Sequence, residues 1–317
     1  MMKNIDRTKI KSIRAAYGKT LVELGKENED IVVLDADLAC STQTAMFGKE
    51  FPERFFNMGI AEQDMMATAA GLASQGKIAF ASTFAMFATG RTYDQIRNSI
   101  AYPKFNVKIV ATHGGITVGE DGASHQALED VALMRNIPNM KVIIPADCKE
   151  CEEVIKYAAS HKGPMYIRIA RTNVPDIFDE NYKFDLKAKV LRQGKDVTIV
   201  TNGETLAEVI ECANILEKSG IEAKIIHAPV VKPLDNGTIL EGSKTGFVVT
   251  VENHSIIGGL GSAVCEVLSE NMPCRVYRIG INDEFGQSGE QRQLMEFYGL
   301  TAEKLAQKIE GKLKEIK

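Results

Sequence analysis

Five short, almost uninterrupted apolar runs punctuate the first half of the chain, at residues 31–37, 78–82, 107–113, 142–145 and 166–170. Apolar residues at helical spacing fill the intervals between them. Runs that short and that apolar are strands buried on both faces, and a helix between two strands is the crossover that lets them pair in parallel. A second alternating unit follows, with strands predicted at 197–201, 223–227, 247–251 and 275–279 and a closing helical pattern over 291–316. Between the units, around residues 173–195, the periodicity lapses into Pro175, paired acids and lysines, which reads as a linker. With 317 residues, 44% of them hydrophobic, the chain has material for two cores. The expected fold is α/β: two doubly wound domains, at residues 1–175 and 195–317, joined by a linker at 176–194.

Composition removes several classes of function. A net charge of −4 with no basic stripe argues against nucleic acid or an anionic membrane as the main partner. The start, Met1-Met2-Lys3-Asn4-Ile5-Asp6, lacks the apolar core of a signal peptide, and no apolar run reaches the ~18 residues of a membrane span. A soluble cytoplasmic protein is expected. Of six scattered cysteines only Cys148 and Cys151 are close, and without a second pair they read as reduced helix residues. Gly258-Gly259-Leu260-Gly261 invites a dinucleotide reading, but the full glycine fingerprint is missing and a turn opening a helix over 262–269 accounts for it. His254, beside that turn, reads as a surface residue and is left unassigned.

The chemistry concentrates in residues 56–130. Glu62 follows a glycine-containing turn and opens an alanine-rich helical stretch over 63–76. Alone, such an acid reads as a complement to the helix macrodipole, worth under ~1 kcal/mol. Its company points further: Phe84 and Phe87 come within one strand and can wall a flat apolar slot, where a carboxylate is functional or paired. Ordinary core packing is the competing reading of that aromatic pair. His113 and His125 flank the loop Gly114-Gly115-Ile116-Thr117-Val118-Gly119-Glu120-Asp121-Gly122-Ala123-Ser124, whose glycines let backbone approach a ligand. A neutral imidazole donates to one sugar oxygen and accepts from another, whereas histidines that only pin a turn need no ligand. His113, Asp121 and His125 also offer mixed metal ligands, at a spacing that fits no standard zinc motif.

Gly59-Ile60-Ala61-Glu62-Gln63, Thr83-Phe84 with Phe87, and Gly119-Glu120-Asp121-Gly122-Ala123-Ser124-His125-Gln126 together resemble the carboxy-terminal half of transketolase. The resemblance spans essentially the whole chain and implies a thiamine diphosphate-binding pyrimidine domain followed by a transketolase carboxy-terminal domain. It implies that Glu62 bonds N1′ of the aminopyrimidine and favours the imino tautomer that takes the thiazolium proton, so the protein tunes a base the cofactor provides. Phe84 and Phe87 would hold the ring. His113, His125 and Asp121 would read the oxygens of a ketose phosphate, with His125 also in the catalytic set. Arg171, at the end of a strand, and Arg14 would hold phosphate, assisted by the Ser41 hydroxyl; two guanidinium forks on one phosphate are chemically sensible. On its helix Arg14 has the alternative of simple solvation. Asp37 matches a residue near the cofactor and the subunit interface. Many relatives place a third aromatic where this chain has Gly90, so the wall there is formed differently.

The Gly-Asp-Gly signature with a later Asn, which holds the diphosphate through a divalent cation, occurs nowhere in the sequence. No metal site is therefore expected in this chain. The resemblance then implies the separate carboxy-terminal subunit of a split transketolase in the pentose phosphate pathway, acting on sugar phosphates. An amino-terminal subunit would carry the diphosphate with Mg or Ca, in a heterotetramer that also self-associates through a dimer interface. Three alternatives stay open: the beta subunit of a 2-oxo acid dehydrogenase E1, a deoxyxylulose phosphate synthase-like enzyme, and a non-catalytic module that binds a partner.

Overall fold

The computed structural model describes residues 5–316. The reading of the first four residues as part of a start without a signal peptide, and Lys317 of the second expected domain, lie outside the described residues. In chain order the strands of the first half are β1 (Ile10–Ser12), β2 (Ile31–Asp35), β3 (Phe55–Asn57), β4 (Ile78–Phe84), β5 (Val107–Thr112), β6 (Lys141–Ile143), β7 (Met165–Ile169) and β8 (Asn173–Pro175). Those of the second are β9 (Lys189–Arg192), β10 (Val197–Thr201), β11 (Ala223–His227), β12 (Val230–Lys232), β13 (Phe247–Ser255) and β14 (Arg275–Ile281).

The first sheet runs β12-β6-β7-β5-β4-β2-β3, parallel except for β12. Alternation along its strands explains its two covered faces. Val33, Phe80 and Val110 point to one side, where the helices Ile13–Glu27 and Cys148–Ser160 contribute Ile13, Tyr17, Val154 and Ile155. Val32, Leu34, Ala79, Ala81 and Ile109 point to the other, against Met65 and Ala69 of the helix Glu62–Ser74. The second sheet, β14-β13-β10-β11-β9, is built likewise, with Ile199 and Val249 facing Leu206 and Leu305 on one side and Val200 and Ile226 facing Val264 on the other. The α/β class and the doubly wound layering agree with the sequence pattern.

Several boundaries differ. The strand expected over 31–37 stops at Asp35, because Asp37 turns into the left-handed region with φ +64. The stretch read as a linker, 176–194, carries β9, which adds an antiparallel edge to the second sheet, and β8, just before it, pairs with β1. Phe178 and Tyr182 within that stretch are buried in the second core, and Asp147 accepts the Ile177 and Phe178 amides at 2.7 Å each. The chain also crosses back once, since β12 lies after β11 yet joins the first sheet beside β6.

From β2 the chain first adds β3 on one side, then crosses through the helix Glu62–Ser74 to add β4 on the other. Strand order reverses at β2. The carboxyl ends of strands beside such a reversal form the crevice where open α/β sheets bind ligands.

Candidate active site

Four neighbouring strands deliver their next residues to that crevice. β4 ends in Phe84, β5 is followed by His113, β7 by Arg171 after one intervening residue, and β2 by Asp37 one residue further on. The register aligns Phe84 with Thr112 and Thr112 with Ile169, so these ends are level. Glu62 is the first residue of the crossover helix, and Arg14 lies in the first turn of the helix Ile13–Glu27.

Aromatic and imidazole rings form one stack. Phe84 lies 3.8 Å from His113, nearly parallel at 24°, and 5.9 Å from Phe87 at 17°. His125 stands edge-on to Phe87 at 5.4 Å and to Phe84 at 6.4 Å. The expected pair therefore packs with both histidines rather than inside an apolar core alone. His113 is buried, adopts φ +62 and shares a 2.8 Å hydrogen bond between Nδ1 and Thr112 Oγ1. Burial first, then the positive charges of Arg14, Arg171 and His125, push its pKa down to about 3. His113 is thus neutral near pH 7, with one donor and one acceptor.

Burial first, then the positive charge of Arg171, lowers the pKa of Arg14, so the two guanidinium groups feel one another's field. Two such cations facing one crevice suit an anionic ligand. Arg14 donates to the main-chain oxygen of Ser41 at 2.7 Å, and its Nε is buried without a partner. Ser41 therefore meets Arg14 through its carbonyl, not its hydroxyl. Arg171 donates to Val118 O and, at 2.7 Å, to the Glu120 carboxylate, so it is tied into the histidine loop.

Glu62 is 5% exposed and pairs with Arg91 Nη1 at 2.9 Å. The Arg91 guanidinium lies over the Phe87 ring, 4.2 Å from its centre, and Gln63 Nε2 holds the Arg91 carbonyl at 2.9 Å. Arg91 thus bridges the Glu62 carboxylate and the Phe87 ring. Nothing around Arg91 flags it in the sequence except its place four residues after Phe87.

His125 is half-buried, with Nδ1 3.0 Å from Ser124 Oγ, and Asp121 is exposed at the end of the 3-10 turn Ile116–Asp121. Asp37 is exposed and accepts from Asn57 Nδ2 at 3.3 Å, outside the ring stack. Among the described residues no group of three His, Cys, Asp or Glu is arranged to hold a metal ion. The glycine turn at 258–261 opens the helix Leu260–Asn271, and Glu252 already accepts its first amides, from Leu260 at 2.7 Å and Gly261 at 2.8 Å. A carboxylate fills the place a phosphate would take. His254 is not on the surface but buried in β13, bonded through Nδ1 to Ser255 O at 2.7 Å.

Sequence reasoning missed Asp35 and Asn253 as well as Arg91. Asp35 is buried beneath the crevice and accepts Leu38 N, Thr42 Oγ1 and Thr44 Oγ1 at 2.6, 2.7 and 2.8 Å, which shapes the turn bearing Asp37 and Ser41. Burial raises its pKa. Its signal is an acid ending a wholly apolar strand. Asn253 contacts the histidine loop from the second half of the chain and has no local signal.

Comparison with known proteins agrees with this geometry. Residues 9–176 match the family model described as transketolase, pyrimidine binding domain, and residues 186–305 match transketolase, C-terminal domain. A Methanocaldococcus jannaschii protein named as a transketolase C-terminal section is 54% identical over 308 residues, covering 96% of this chain and 97% of that protein. A 6-deoxy-6-sulfo-D-fructose transketolase subunit of a Clostridium species is 42% identical, covering 92% of each chain. Among solved structures, one described as a split gene transketolase, inactive beta4 tetramer, superposes with a TM-score of 0.89 at 53% identity, covering 96% of this chain and 98% of that one. Campylobacter jejuni transketolase superposes at 0.83 with 25% identity, this chain covering 47% of it.

Proposed function

Because the chain belongs to the transketolase family, we propose that it is the pyrimidine-binding subunit of a two-chain enzyme that moves a two-carbon ketol unit from a ketose phosphate to an aldose phosphate. The observation that carries the reading is the slot between Glu62 and Phe87. A planar N–H donor already fits it, since the Arg91 guanidinium bonds the carboxylate at 2.9 Å and stacks on the ring at 4.2 Å. An aminopyrimidine asks for the same two contacts, an acceptor at its edge and an aromatic face. Thiamine diphosphate, when bound, supplies the carbanion chemistry that ketol transfer needs.

This chain's residues then have separable tasks. Glu62 accepts from the edge of the aminopyrimidine, while Phe84 and Phe87 stack against it and exclude water. His113, kept neutral and with Nδ1 engaged by Thr112, presents Nε2 to one ketose oxygen. His125, with Nδ1 engaged by Ser124, presents Nε2 to the substrate or to a proton in transit. Arg14 and Arg171 hold the phosphate, Ser41 borders it, Asp121 reads a hydroxyl at the mouth of the site, and Asp37 lies toward the cofactor and a neighbouring subunit.

The diphosphate and its Mg or Ca ion belong, in this reading, to a separate amino-terminal subunit. Self-association is supported by the related chain described as a β4 tetramer and by Ile60, 78% exposed two residues before Glu62, which a neighbouring subunit would cover. The same reading assigns the enzyme to the pentose phosphate pathway in the cytoplasm. Among the described residues no helix is long and apolar enough to cross a membrane.

The test is a ketol-transfer assay on the reconstituted two-chain complex, with xylulose 5-phosphate and pyruvate as competing donors. Consumption of the sugar phosphate supports the assignment, and consumption of pyruvate alone overturns it.

A further inference from the structure

The loop between the two histidines is held from the far half of the chain. Asn253, buried at the end of β13, accepts Ile116 N on Oδ1 at 2.9 Å and donates through Nδ2 to Thr117 Oγ1 at 3.2 Å and to Glu204 at 2.5 Å. Thr117 Oγ1 in turn donates to Glu204 Oε1 at 3.1 Å. Gly115 takes φ +74 directly beneath the amide, and a Cβ there would come within 2.4 Å of it. A side chain at residue 115 would therefore be strained and would displace the Asn253 carboxamide.

The other end of the loop is fastened too. Ser288 Oγ donates to Glu120 O at 2.7 Å, and Gln126 Nε2 donates to Gln287 O at 2.9 Å. Between these anchors lie Asp121, His125 and the Val118 and Glu120 oxygens that hold Arg171. Loop residues placed by hydrogen bonds from a rigid strand are positioned more tightly than the loop could manage alone.

We propose that Asn253 and Ser288 are positioning residues for sugar phosphate recognition, so that the carboxy-terminal half of the chain sets the affinity for the phosphorylated substrate by fixing the loop over 116–126. This rests on the proposed ketol-transfer reading of the site. Asn253 acts through the loop rather than on the cofactor, because its side-chain partners are Ile116, Thr117 and Glu204.

The test uses the reconstituted two-chain complex with xylulose 5-phosphate as donor. Asn253→Ala removes a buried amide and risks misfolding, so exposed Ser288→Ala is its companion, since it deletes one anchor without opening a core. For Ser288→Ala the expected result is a KM raised about threefold to tenfold with kcat within a factor of about two, the scale of one lost hydrogen bond. Thiamine diphosphate affinity and melting temperature should be unchanged, while amide hydrogen exchange over 116–126 speeds up. A purely structural role would not separate KM from kcat. An unchanged KM in both variants, or an equal loss of thiamine diphosphate affinity, overturns the inference while leaving the functional reading intact. If the wild-type complex transfers no ketol group, the functional reading fails and takes the inference with it.

Discussion

Arg91 and Glu62 form an ion pair at 2.9 Å, and the same guanidinium covers the Phe87 ring at 4.2 Å. One side chain thereby makes both contacts that the proposed function gives to the aminopyrimidine. On that proposal cofactor and Arg91 cannot use the slot together, so Arg91 swings outward, which its 51% exposure allows. Arg91→Ala should tighten thiamine diphosphate binding to the assembled complex severalfold. The lone subunit should lose about 1 kcal/mol of stability, the scale of a half-exposed pair to a buried carboxylate. Calorimetric titration and thermal melts check the two effects; weaker binding would mean that Arg91 supports the cofactor instead.

Glu62→Gln keeps size and polarity but removes the carboxylate. Ketol transfer by the reconstituted complex should fall roughly 10²- to 10⁴-fold, the range for a lost acid-base partner. The melting temperature should move little, because Gln still bonds Arg91. Near-normal turnover at saturating cofactor would remove Glu62 from the mechanism.

Arg14 and Arg171 are close enough for one to depress the other's pKa, and Arg171 is held by Glu120 at 2.7 Å. Replacing either with Ala removes a charge-assisted contact worth about 1.5–3 kcal/mol, which corresponds to roughly a 10- to 150-fold rise in KM for phosphorylated donors. Steady-state kinetics with an unphosphorylated ketose should show a much smaller effect. Equal losses for both substrates would make the arginines structural.

His113 gives the fold an acid-sensitive component. Its pKa lies near 3 in the folded chain against an ordinary 6.5, so the folded state keeps it neutral while the unfolded chain takes up a proton. The corresponding stability is complete above pH 6.5 and is lost as pH falls toward 3. His113→Asn should therefore show a shallower decline of melting temperature than wild type across that interval. Parallel curves would mean that His113 is solvated and charged.

The strands, the ring pair and the histidine loop are legible in the sequence because each is local. Phe84, His113 and Arg171 follow apolar runs, and the end of a buried parallel strand is where a ligand crevice forms. Arg91 and Asn253 are not legible, since Glu62 lies 29 positions from Arg91, and Ile116 and Thr117 lie 137 and 136 positions from Asn253. β8 and β12 are three residues each, too short for alternation to register, and β9 is four. They form because the sheets supply the pairing. Ser41 shows a subtler limit: the group that meets Arg14 is its carbonyl, which side-chain identity does not encode.

The central claim is that this chain holds half of a cofactor site. The pyrimidine slot offers one ring stack and one carboxylate contact, each on the order of 1–3 kcal/mol before the cost of association, which leaves roughly millimolar binding. Titration calorimetry with thiamine diphosphate and magnesium, on the single chain and on its complex with the amino-terminal subunit, measures this directly. The account predicts no micromolar binding to the single chain and micromolar or tighter binding to the complex. Micromolar binding to the single chain would contradict it, because the diphosphate and metal site would then be complete in this polypeptide.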